Sequence, residues 1–186
     1  MRLFSRLKLL IYLLLFIMGC EENITNEQNA CSECIEVYTS NWGQTSFYYN
    51  LVTNTEDATN WHISLQKIEE TTAIGIHEMP SIILGSDVHV AIYNSISFDD
   101  IIATPADATW SSDTSLTSYG NEYEVLHYKF TCSNSEHTHS IEHKIIVISN
   151  NYLIKELSTN NVYKLRFEDY NSGVALFNFS QLHVGN

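Results

Sequence analysis

Basic side chains are scarce in this 186-residue chain, where nine Lys and Arg stand against 22 Asp and Glu for a formal net charge of −13. A surface so acidic repels phosphate backbones and anionic headgroups, which excludes nucleic acid as a partner. Catalytic signatures are missing too. The chain has no Gly-rich phosphate loop, no nucleophile elbow and no HExxH, and its many Ser and Asp fall in no defining arrangement. A binding protein is therefore expected rather than an enzyme. No helical period is evident past the N-terminal apolar run, apart from one or two turns at residues 97–103. No internal repeat and no second-domain boundary appears.

What is present begins at the N-terminus. Residues 1–8 carry Arg2, Arg6 and Lys8 without an acid, and residues 9–18 form an unbroken apolar run of ten. That run is shorter than the roughly 20 residues a membrane-spanning helix needs, and it suits the apolar region of a signal peptide. It ends in Ile17-Met18-Gly19-Cys20, which resembles the bacterial lipobox, where a small residue precedes a cysteine that is lipidated before cleavage. The resemblance implies a signal peptide at 1–19, lipid on Cys20, and attachment to a bacterial outer membrane on the cell surface. Residues 20–36 are polar and acidic without hydrophobic periodicity and read as a flexible tether. Residues 37–186 are the expected single domain. Cleavage would remove three of the nine basic residues, so six would face 22 acidic ones at a formal −16. The lipid, not charge, would then hold the chain to its membrane.

Export permits disulfides. With Cys20 lipidated, Cys31, Cys34 and Cys132 remain. Cys31-Ser-Glu-Cys34 has no second pair to complete a zinc knuckle and no His after Cys34 for covalent haem attachment. A local loop, or a disulfide from one of the pair to Cys132, is the expectation, with metal or redox chemistry as the alternative.

From Val37 onward the pattern is β. Phe47, Tyr49 and Leu51 alternate, as do Trp61, Ile63 and Leu65, and residues 82–84 and 88–93 are further short strands. Leu126, Tyr128, Phe130 and Cys132 share one face of another, with His127 opposite. Residues 144–149 and 152–157 flank Asn150-Asn151, which predicts a two-residue hairpin. Residues 158–161 turn the chain into a strand with Tyr163, Leu165 and Phe167 on one face and Lys164 and Arg166 on the other. Asn171-Ser172-Gly173 makes the next turn before Val174. The fold class is all-β: a single antiparallel, sandwich-like domain with a C-terminal meander.

Three collinear stretches resemble the HmuY-like haem-carrier lipoproteins. They are Trp61-His62-Ile63-Ser64-Leu65; Ser97-Phe98-Asp99-Asp100-Ile101 with residues 104–110 and Asp113-Thr114; and the closing strands with Tyr163-Lys-Leu-Arg-Phe-Glu-Asp-Tyr170 and Phe177-Asn-Phe179. The resemblance implies a monomeric or weakly dimeric domain that takes haem, its iron ligated by His or Met from opposite faces, and passes it to an outer-membrane receptor. The chain lacks the family's Gly-rich stretch after the Trp strand, and its segment between Asp113 and His127 is short, with no match for the first axial ligand. Thr138-His139 does fall where the family carries a Thr-His pair.

Around it lies the richest ligand cluster in the chain. If extended, His137, His139 and His143 share one face, and neutral imidazole suits haem iron or, less favourably here, zinc or copper. His77 and Met79, in an expected loop, are candidates for a second ligand, and Tyr119, Tyr123 and Tyr128 for a porphyrin pocket. His62 and His183 suggest no role. The alternative is a surface lipoprotein of the same fold that binds a protein, glycan or metal ion instead of haem.

Overall fold

The computed structural model describes residues 31, 33–72, 75–135 and 138–183, with the side chains at 72, 130–135 and 138–142 outside that description. The signal region, Cys20 and most of the tether lie outside the described residues. Every strand pairing is antiparallel, and no helix occurs among the described residues. The fold is all-β, as the periodicity predicts.

One sheet orders its strands β1 (Ile35–Tyr38), β11 (Val174–Gln181), β10 (Val162–Asn171), β9 (Tyr152–Glu156) and β6 (Val88–Ile92). A second orders β3 (Thr55–Glu56), β2 (Phe47–Asn50), β4 (Ile63–Thr72) and β5 (Gly75–Leu84). A ribbon of β7 (Leu126–Ser135) and β8 (Thr138–Val147) stands beside them. Alternate residues of both sheets bury their side chains in one main core. Phe47, Tyr49, Ile63, Leu65, Ile82 and Leu84 meet Tyr152, Ile154, Tyr163, Leu165, Phe167, Phe177 and Phe179. Tyr49 presents its edge to Phe177 and Phe179 at centroid distances of 5.6 and 5.9 Å, which joins the two sheets. The space bounded by Phe47, Ile63, Leu65, Ile82, Phe167 and Phe177 has no room for a water molecule. Every side chain of this main core lies within the compact unit Cys31–Asn186, so that unit carries its own hydrophobic core.

The meander turns form as expected. Asn160 takes φ 60° between β9 and β10, and Ser172 and Gly173 take 52° and 91° between β10 and β11. A bulge at Glu168 then returns Tyr170 to the core side, opposite Ala175.

Two expectations are corrected. The Asn150-Asn151 hairpin does not form, because β8 pairs with β7 while β9 pairs with β6 and β10. Neither Asn is at positive φ; Asn151 instead links to Asn94 and Ile96, and its carbonyl takes the Tyr93 N–H. The segment thus steps between sheets. The first strand begins at Ile35, two residues inside the expected tether, because Ile35 and Val37 pair with Phe179 and Phe177. Of the two cysteine alternatives the local loop forms, with Cys31 bonded to Cys34 across a turn closed by the Cys34 N–H to the Cys31 carbonyl. Residues 97–103 make one turn, within the one or two expected, held by the Asp100 and Ile101 N–H groups on the Ser97 and Phe98 carbonyls.

The far face of β10, polar in sequence, is covered as well. Residues 97–110 lie over it, and Phe98 sits beneath Lys164 and Arg166 at 4.7 and 4.6 Å. Lys164 is only 4% exposed, donates to the Phe98 carbonyl at 3.0 Å, and is held below its ordinary pKa first by burial.

The free side of β5 is partly covered too. The Leu84 N–H points outward to the Thr114 carbonyl, and Thr117 Oγ1 donates to the Ile82 carbonyl. Strand alternation makes Pro80 the next outward residue, so its missing N–H costs no ladder bond.

Gly173 tests the tightest turn. An added Cβ would lie 2.5 Å from Asn41 Oδ1 at a φ of +91°, whereas one at Gly120, φ +80°, meets nothing. Gly173→Ala should lower unfolding free energy by about 2 kcal/mol and Gly120→Ala by about 1, measured by urea denaturation.

Candidate ligand-binding ribbon and a buried histidine cluster

The two long hairpins outrun the core. In β4–β5 the rungs from Ile63↔Leu84 to Leu65↔Ile82 are buried, whereas Lys67, Glu69, Thr71 and residues 75–78 are exposed. In β7–β8, Leu126 is buried and Val147 and Ile145 pack on the core, while Lys129, His143 and Lys144 are exposed.

The extended ribbon gives the histidines the predicted alternation. His139 and His143 share a face with Tyr128, Ile145, Leu126 and Val147, the face that meets the core at the ribbon's base. His137 lies outside the described residues, and of His139 only the backbone position is described. Tyr128 Oη contacts His143 Nδ1, their rings 5.6 Å apart between centroids. His127 faces the other way and pairs with Glu124.

His77 and Met79 are in β5, not in a loop. Both lie on the face of Ser81 and Ile83, opposite the core-directed Ile82 and Leu84. The polar rungs beyond the core carry no period-2 signal, which is why they read as loop. Of the three tyrosines, Tyr128 is on the ribbon and Tyr123 packs on the main core, its carbonyl taking the Tyr152 hydroxyl. The Tyr119 N–H donates to Ser81 Oγ on the His77 face of β5. Burial raises the Tyr119 pKa, followed by the fields of Glu124, of Glu70 opposite His77, and of Tyr128, so this phenol senses both hairpins.

The side chain the sequence hides is His62. It is 3% exposed and stands within 4.8 Å, atom to atom, of the carboxylates of Asp87 and Glu156. That spacing suits a metal ion. The protonation pattern opposes one. Nδ1 accepts the Leu51 N–H at 2.9 Å, so a neutral ring keeps its hydrogen on Nε2, which points to Asp87 Oδ2 at 3.7 Å. A metal on Nε2 would need an imidazolate. Glu156 is equally committed: Ser158 gives one oxygen its N–H (3.1 Å) and hydroxyl, and Thr159 gives the other its N–H (3.0 Å) and hydroxyl. Burial raises the Glu156 pKa, but these four bonds outweigh it and the net shift is downward. Burial likewise lowers the His62 pKa, against the raising fields of Asp87 and Glu156. The cluster is a structural junction of loop, turn and strand.

Excess zinc should therefore raise the thermal midpoint of the protein no more than it raises that of His62→Asn. A zinc stabilisation that this substitution abolishes would overturn the tautomer argument.

The chain matches no family model, no curated protein and no solved structure.

Proposed function

We propose that this chain is an HmuY-like cell-surface lipoprotein that binds haem for iron acquisition and hands it to an outer-membrane receptor, without being an enzyme. The observation that carries the reading is the Tyr128–His143 contact on an exposed ribbon. A ligating imidazole is oriented by a partner on its other nitrogen, and Tyr128 fills that place at Nδ1. His139 is at even spacing on the same face, so one strand offers two imidazoles to an iron or porphyrin edge. The lack of a water-sized space among Phe47, Ile63, Leu65, Ile82, Phe167 and Phe177 supports a ligand seated among the hairpins rather than at that point between the sheets. Attachment through lipid on Cys20 supplies the location.

Haemin titrated into residues 20–186 with Cys20→Ser should give a Soret shift at one equivalent. His139→Ala with His143→Ala should abolish it, and Tyr128→Phe should weaken binding about tenfold. An unshifted spectrum in the parent protein sinks the haem reading. Zinc or copper retained by the same histidines in that case would favour a metal-binding lipoprotein of the same fold.

A further inference from the structure

His62 gathers three segments that the haem reading does not use. From the loop of residues 50–61 it receives only the Leu51 N–H on Nδ1. From the β5–β6 turn it faces Asp87, and from the end of β9 it faces Glu156. Its own backbone is fixed by the His62 N–H on the Tyr49 carbonyl and by the Gly85 N–H on its carbonyl, both at 2.9 Å. Gly85 cannot back away with a side chain, since a Cβ there would lie 2.4 Å from the Trp61 carbonyl.

A proton added to this ring has opposite effects on its two sides. Imidazolium carries hydrogen on both nitrogens, so Nδ1–H would confront the Leu51 N–H, donor against donor. On the other side Nε2–H already faces two carboxylates, which attract the new charge. Asp87 and Glu156 are the titratable groups facing the ring, and both favour the imidazolium; burial first, and the Leu51 N–H on Nδ1, oppose it. The carboxylate side is also better anchored. The Asp87 backbone carbonyl accepts the Leu157 N–H at 2.9 Å, and the Glu156 carboxylate has its four donors. The turn beyond Leu51 is held by Asn50, whose Oδ1 takes the Val52 and Thr53 N–H groups, and by the Tyr49 hydroxyl on Asn54, while residues 55–57 are laddered to β2.

We propose that His62 is an acid-operated clasp: neutral, it holds the Leu51–Asn54 loop to the sandwich, and protonated, it turns to Asp87 and Glu156 and lets that loop loosen. The sign follows from linkage. A folded pKa below the unfolded value of about 6.5 means the unfolded chain takes the proton first, so stability falls as pH drops below that value and levels off once the folded ring is charged.

NMR on residues 20–186 with Cys20→Ser, between pH 8 and 4.5, tests this. The His62 ring should titrate below 6.5, and the Leu51 to Thr53 amides should lose about tenfold in exchange protection along the same curve, corrected for intrinsic rates, while Ile63 and Leu65 stay protected. His62→Asn sets a non-titrating acceptor near the Nδ1 position and should keep the loop protected throughout. Three outcomes overturn the clasp: His62 titrating above 7, Leu51 staying protected after the ring is charged, or the loop loosening identically in His62→Asn. Should His62→Asn fail to fold, the wild-type curves decide alone, by whether Leu51 follows His62.

Discussion

The core is shorter than the strands that enclose it, and most of the molecule's character follows from that mismatch. Tyr49 meets Phe177 and Phe179 across the two sheets, and the space among Phe47, Ile63, Leu65, Ile82, Phe167 and Phe177 holds no water-sized gap. β4, β5, β7 and β8 each run ten residues, and only their proximal rungs reach that packing. Beyond it, Lys67, Glu69, Thr71 and residues 75–78 of one hairpin and Lys129, His143 and Lys144 of the other meet solvent, so polar side chains cost little buried area there. A rigid base with exposed extensions is how a small β domain offers chemistry without opening its core.

The same burial explains why polar groups inside are so fully engaged. Lys164 has the Phe98 carbonyl and ring, Glu156 has four donors, and His62 is bonded at Nδ1 and faces a carboxylate at Nε2. Glu156 closes the turn that follows it, while Lys164 and His62 tie together segments that are distant in the chain. They act as joints between the sheet, the loop of residues 50–61 and the cover of residues 97–110, where apolar packing alone would leave orientation loose.

Sequence periodicity carried the architecture wherever one strand face is buried and the other is not. Phe47/Tyr49, Ile63/Leu65 and Tyr163/Leu165/Phe167 announce their faces directly, and Ser172-Gly173 announces a turn. It failed where pairing is non-local. Asn150-Asn151 has the residues of a tight turn, but no local signal says that Leu153 will pair with Ala91 rather than with the strand before it. It failed again at the distal rungs, where two wet faces leave no alternation, so His77 and Met79 looked like loop. The alternation of His139 and His143 was readable because their spacing is even. His62 was not, since its partners Leu51, Asp87 and Glu156 share no motif with it and meet only in the folded chain. Lys164 sat on what reads as a solvent face, because its cover comes from residues 97–110.

Pro80 has a consequence for how copies of this domain behave when crowded. A strand laid along the free edge of β5 would look for a donor at every second residue. It finds the proximal positions already taken by Thr114 and Thr117, and at Pro80 no donor at all. Edge-to-edge zipping into larger sheets is interrupted at that rung, and the exposed charges of Glu78 and Lys67 beside it keep the remainder wet. The distal half of β5 can thus stay exposed without offering a neighbouring strand a continuous row of donors.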